Sequence, residues 1–126
     1  MAIRETKSIQ VLQLAGAAVQ AFIENAHVPV LIDFGAHWCR PCRRQQPVTA
    51  QIARRMGHRA RVGMVDIDGN RALAVRLNIH SIPTLIIFSD AVERERFIGV
   101  QSTETLLNAL NRWASQPALA DKPRVT

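Results

Sequence analysis

The chain has 126 residues and a formal net charge of +6, with 48% hydrophobic residues and a mean hydropathy near zero. That is the size of one domain, able to bury roughly two-thirds of its unfolded surface, and it needs neither disulfides nor a metal to hold a core. No run approaches the length of a transmembrane helix, so no membrane partner is expected, and two cysteines cannot build a disulfide framework.

Residues 1–7 are polar and are expected to be loose. Arg4 and Lys7, followed by the run from Ile9 to Ala17, have the outline of a signal peptide. Three features oppose that reading: Glu5 spoils the basic region, Gln10 and Gln13 interrupt the apolar run, and cleavage would remove a strand. Residues 8–14 alternate imperfectly and read as a first, outer strand. Residues 15–25 follow as a helix with Val19, Phe22 and Ile23 at helical spacing. The run Val28-Pro29-Val30-Leu31-Ile32-Asp33-Phe34 is long enough for a buried central strand. Asp33 is its anomaly. A one-sided strand could expose it, but flanks this apolar argue for burial on both faces, where acids are rare unless used or paired.

Residues 39–57 read as a long helix, with Pro41 in the first turn, where its missing N–H is not needed. Val48, Ile52 and Met56 form its apolar stripe, Pro47 should kink it, and Gly57 is the natural stop. Residues 61–68 are the next strand, through Val62, Met64, Val65 and Ile67, and residues 70–77 a short helix with Leu73 and Leu77 inward. The strand after each helix makes a β-α-β-α-β unit, which implies parallel pairing and right-handed crossovers. Pro83 opens the next strand, Leu85 to Phe88, at a position where proline is tolerated. Ser89-Asp90-Ala91 is a tight turn, and residues 92–98 return antiparallel, carrying Glu93, Arg94, Glu95 and Arg96 as charges suited to an edge strand. Ser102 or Thr103 caps a last helix with Leu106, Leu107, Leu110, Trp113 and Ala114 on one face, Trp113 reading as core packing. Residues 116–126 read as a disordered tail, which leaves one domain over residues 8–115.

Both cysteines stand in Trp38-Cys39-Arg40-Pro41-Cys42, at a strand-to-helix junction. That junction puts the first sulfur at a helix N-terminus, where unpaired N–H groups and the dipole stabilise a thiolate. The thiolate is the form that attacks a disulfide, so the motif reads as dithiol–disulfide chemistry. Cysteines confined to one reactive motif point to a reducing compartment, and a cytoplasmic location is expected. Zinc would need two further ligands. His37 and His80 could lie near the pair, but no second Cys-x-x-Cys or His-x-His appears, and no metal is expected. Nine arginines between Arg40 and Arg76 face only Asp66 and Asp68, and Arg43 with Arg54, like Arg44 with Arg55, share a helix face. A basic stripe for an acidic protein or nucleic acid is one reading. A solvated helix face is favoured, because charge runs usually are that and no aromatic residues interleave to stack bases. Nucleic acid is therefore not an expected partner.

The segment Phe34-Gly35-Ala36-His37-Trp38-Cys39-Arg40-Pro41-Cys42 resembles the thioredoxin active-site segment. Pro47, Asp66-Ile67-Asp68, Ser81-Ile82-Pro83-Thr84 and Phe97-Ile98-Gly99 follow in that family's order and spacing, so the resemblance covers residues 8–115. It implies an α/β thioredoxin fold, with a central mixed five-stranded sheet flanked by four helices. It also implies a thiol–disulfide oxidoreductase that reduces protein disulfides, with Cys39 as nucleophile, Cys42 as resolving thiol and Asp33 relaying the proton of Cys42. The bond before Pro83 would be cis and lie beside the cysteines, while Arg40, Pro41 and Pro83 would modulate the pair. Trp38, Ile82, Pro83, Gly99 and Val100 would form the docking surface. The implied partners are protein disulfides and a reductase as electron donor, with no cofactor beyond the redox-active disulfide and a monomeric chain. Three residues depart from the family pattern: Arg40 replaces the usual glycine, Gly35 a second tryptophan, and Met64 a buried lysine that usually faces the acid. Two alternatives share the motif: a thiol oxidant or isomerase, and a thioredoxin-like binding or chaperone subunit that does not use its thiols.

Overall fold

The computed structural model describes residues 11–115. Its elements in chain order are β1 (Leu12–Leu14), α1 (Ala17–Glu24), β2 (Val30–Gly35), α2 (Arg40–Met56), β3 (Arg61–Asp66), α3 (Arg71–Arg76), β4 (Thr84–Ser89), β5 (Val92–Ile98) and α4 (Thr103–Ala114). Single 3₁₀ turns follow α2 at Gly57–Arg59 and β3 at Ile67–Gly69. The expected loose start and disordered tail lie outside the described residues, as does the beginning of the expected first strand.

Strand β2 is buried from Val30 to Phe34 because helices cover both faces of the sheet. Successive side chains point to opposite faces. Val30, Ile32 and Phe34 join Val19, Phe22 and Ile23 of α1 and Leu73 of α3 in one core. Leu31 points the other way, into a second core with Ile52, Ala53 and Met56 of α2 and Leu106, Ala109 and Leu110 of α4. Asp33 has the parity of Leu31 and therefore lies beneath α2.

The sheet order is β1-β3-β2-β4-β5. β1 and β2 flank β3 in parallel, whereas β4 lies antiparallel to β2 and β5 antiparallel to β4. The mixed five-stranded sheet and four α-helices are thus the expected ones, and the β-α-β-α-β unit from β1 to β3 is parallel throughout, while β4 enters the opposite way. The six residues of α3 span about 9 Å, less than half of the roughly 20 Å of a six-residue strand. This helix does not carry the chain back to the end of the sheet where β3 began, and β4 enters from the end where β3 left.

One expectation for the helices changes. On α2 the buried positions are Cys42, Gln45, Thr49, Ile52, Ala53 and Met56, and Val48 is only half-buried. The inward stripe passes through two polar residues that the apolar pattern skips. On α4 Trp113 packs against the second core as expected and is half-buried there: its indole N–H donates to Glu95 at 2.7 Å, and the Arg94 guanidinium lies over its ring at 5.2 Å. Glu95 also pairs with Arg112 at 2.8 Å, so the charges of the edge strand tie it to α4. The helix ends follow the sequence closely. Ser102 caps α4 by accepting the Thr105 N–H at 3.1 Å, and Gly57 ends α2 at φ +58°.

The β4–β5 loop has two residues, Asp90 and Ala91, at φ +54° and +64°. A two-residue hairpin of type I′ needs positive φ at both, which aspartate tolerates and alanine does not. Ala91→Gly should therefore stabilise the protein by about 1 kcal/mol. Urea denaturation would show this as a higher midpoint at unchanged slope.

Candidate active site

Cys39 is the N-cap of α2, its extended backbone leading into the first helical turn. Its Sγ accepts the backbone N–H of Cys42 at 3.3 Å, so one of the helix's unpaired donors already points at this sulfur. The two Cα atoms are 5.2 Å apart and the cysteines form a disulfide. Cys39 is 6% exposed and Cys42 3%, so both are buried and the first only slightly less so.

The expected docking residues gather around Cys39. Its Sγ lies 3.9 Å from the carbonyl oxygen of Ile82, and the Ile82–Pro83 bond is cis. The Pro83 carbonyl accepts the Gly99 N–H at 2.8 Å, which fixes the turn after β5 against this loop. Pro83 is buried, Ile82 and Gly99 are half-buried, and Val100 is exposed next to them. Trp38 is 59% exposed and is held by its indole N–H, which donates to Asp68 at 2.6 Å. Arg40 is exposed beside the pair and Pro41 half-buried in the first turn.

Asp33 is 3% exposed. It lines a cavity of about 100 Å³ together with Gly35, Cys42, Gln46 and Met64. That volume has room for a few waters at roughly 30 Å³ each. β2 passes so near the first turn of α2 here that a Cβ on Gly35 would sit 3.1 Å from the Cys42 Sγ. Burial raises the Asp33 pKa to about 6, against the lowering effect of a hydrogen bond from the Thr49 hydroxyl at 2.9 Å. Met64 stands in register with Asp33 and offers no charge to lower it further.

Thr49 and Gln45, both fully buried, are the site residues that the sequence reading missed. Their signal was positional: with Cys42, Ile52 and Met56 they complete a helical stripe. Read by residue type they drop out of an apolar pattern. The arginines of α2 behave as a solvated face: Arg43, Arg44, Arg54 and Arg55 are all exposed, and Arg43 donates to the His37 carbonyl at 2.9 Å. His37 reaches not the cysteines but Asp66, at 3.6 Å, and His80 is exposed. Among the described residues no group of three or more His, Cys, Asp and Glu side chains could hold a metal ion.

The model of the thioredoxin family matches residues 10–112. The chain is 36% identical over 107 residues to a thioredoxin of Pyropia yezoensis, covering 85% of this chain and 100% of that one. It is 40% identical over 93 residues to thioredoxin 1 of Synechococcus elongatus, covering 74% and 86%. Among solved structures, a mutant thioredoxin from Halobacterium salinarum superposes with a TM-score of 0.81 at 28% identity, covering 87% of this chain and 96% of that one.

The buried acid has a consequence for stability. With a pKa of about 6 in the fold against 3.8 unfolded, Asp33 holds its proton to higher pH in the folded state. Its contribution to stability is fully present below the unfolded value and is lost as pH rises through the folded one. The loss is on the order of 3 kcal/mol. Asp33→Asn, in the oxidised protein, should remove this pH dependence and be more stable than the parent at pH 8. Urea melts of both proteins at pH 4 and pH 8 check it, and equal slopes with pH would contradict it.

Proposed function

The chain belongs to the thioredoxin family and is a thiol–disulfide oxidoreductase that reduces protein disulfides, and on that premise we propose the following division of labour. Cys39 is the nucleophile. Its thiolate attacks one sulfur of a substrate disulfide, forming a mixed disulfide and releasing the other substrate sulfur as a thiolate. Cys42 gives its proton to Asp33 through water in the shared cavity, and the resulting thiolate attacks the Cys39 sulfur. The second substrate sulfur leaves, so the substrate gains two electrons and the protein holds the Cys39–Cys42 disulfide. The observation that carries this reading is the disulfide at the N-terminus of α2, 3.9 Å from the Ile82 carbonyl.

Trp38, Ile82, Pro83, Gly99 and Val100 receive the substrate chain, offering backbone groups and a small apolar surface. Residues 8–115 act as one domain and a monomer, with no cofactor beyond the disulfide. A reductase returns the electrons; one relative in Mycobacterium leprae is a bifunctional thioredoxin reductase/thioredoxin, which supports that class of donor. Confinement of both cysteines to one redox motif supports a cytoplasmic, reducing setting.

Arg40 adds an oxidising bias. Its exposed guanidinium follows Cys39 directly and stabilises the thiolate of the reduced form, which makes the disulfide easier to reduce.

Two experiments test this assignment. Cys39→Ser should abolish disulfide reduction, while Cys42→Ser should accumulate mixed disulfides with its substrates; preferential alkylation of Cys42 in the reduced protein at neutral pH would reverse the roles. Arg40→Gly should lower the reduction potential, measured against glutathione, by about 10–30 mV, a small effect because the charge is screened. An unchanged or higher potential in that variant removes Arg40 from the account.

A further inference from the structure

The interior of α2 holds a hydrogen-bond chain whose direction can be read atom by atom. The backbone N–H of Gln101, two residues after Gly99, can only donate, and its acceptor is the Gln45 Oε1 at 2.7 Å. That contact fixes the orientation of the Gln45 amide and turns its Nε2 toward Thr49, whose Oγ1 lies 3.5 Å away. An amide nitrogen can only donate, so it occupies a lone pair of the Thr49 oxygen. The Thr49 hydroxyl proton is then free for one partner, the Asp33 Oδ2 at 2.9 Å. Gln45 and Thr49 are 0% exposed, and no buried side-chain nitrogen or oxygen among the described residues is left without a partner.

We propose that Gln45 and Thr49 are positioning residues for Asp33, forming a one-way hydrogen-bond chain from the docking segment that holds the carboxylate ready to take the proton of Cys42. The inference rests on the role assigned above to Asp33. A helix packed on a sheet has no need of two polar side chains in its buried stripe, since apolar groups of the same shape would serve stability as well or better. What the pair supplies is a donor to the Asp33 carboxylate, the Thr49 hydroxyl at 2.9 Å. The elements around Asp33 offer little else: Met64 from β3 and Leu85 from β4 stand in register with it, and β1 brings Gln13 to the cavity. The titratable groups at the cavity are Cys42, His37 from the turn before α2, and Asp66 of β3, the last two paired with each other. The chain starts where the substrate would lie. Gly99 is bonded to Pro83, Gln101 to Gln45, and the placement of that segment is therefore transmitted to the acid.

The test follows resolution of the mixed disulfide. Reduced protein is mixed with an aromatic disulfide in stopped flow, where the second thiolate released reports the attack by Cys42, and the rate is recorded against pH. Thr49→Val removes the donor to the carboxylate, so ionisation of Asp33 moves to higher pH and the midpoint of the profile should rise by about one pH unit. Thr49→Ser keeps the hydroxyl and should keep the parent midpoint. Gln45→Met should shift the midpoint in the same direction by less, and it carries the test should Thr49→Val not fold. A Thr49→Val or Gln45→Met profile identical to the parent, or a Thr49→Ser profile shifted as far as Thr49→Val, overturns the chain. Asp33→Asn separates the two layers. Loss of the pH step in that variant upholds the proton acceptor and leaves the chain to be judged by its own variants, whereas a parental profile overturns the role of Asp33 itself and the inference with it.

Discussion

The first turn of α2 rests directly on the end of β2, with the sulfur of Cys42 at contact distance from where a side chain on Gly35 would begin. Much of the site follows from that contact. It holds the helix N-terminus, with its unpaired N–H groups, at the rim of the sheet, so that Cys39 caps the helix and receives a backbone donor. It leaves β2 without a side chain at position 35, which keeps a cavity open between Cys42 and Asp33. It also sets the register in which the inner face of α2 meets the sheet, bringing Thr49 above Asp33.

The acid and its neighbours are a cost in stability that the rest of the fold must offset. An uncompensated buried carboxylate is destabilising at neutral pH, and a single hydrogen bond from Thr49 offsets only part of its desolvation. The offset comes from two apolar cores, one on each face of β2, built around side chains with little or no exposure. Among the described residues the buried polar chain of Asp33, Thr49 and Gln45 lies under the cysteine pair. Elsewhere among the described residues polar contacts are exposed or part-buried, as in the pairing of β5 with α4 through Glu95, Arg112 and Trp113. Such pairs near the surface orient an edge strand more than they stabilise it.

Much of this was legible in the linear pattern. The strand and helix assignments rest on local periodicity and on punctuation by Gly57, Pro83 and Ser102, each of which acts within a few residues of itself. The cysteine pair could be read as reactive because a thiol at a strand-to-helix junction meets a helix N-terminus wherever that junction lies in the fold. Asp33 stood out because an acid in an apolar run is costly on either face of a covered sheet, and it is indeed buried.

Only the tertiary structure decided which groups answer that cost. Gln45 and Thr49 look like solvent-facing residues in a list of amino-acid types; helical spacing puts them on one stripe with Cys42, Ile52 and Met56, but only packing shows that this stripe meets Asp33. The antiparallel entry of β4 likewise depends on α3 being too short to span the sheet, a global length relation rather than a local preference. Trp113 packs on the second core, as its size and place on the apolar face imply, but only the fold shows that the edge strand presents Glu95 to its indole N–H. The sequence by itself determined the elements, the reactive pair and the misfit acid, since each is set by chemistry within a few residues. The partner of that acid, Thr49, lies 16 positions away on α2, and the backbone N–H that orients Gln45 beside it lies 56 positions beyond Gln45; bringing them together is the work of packing.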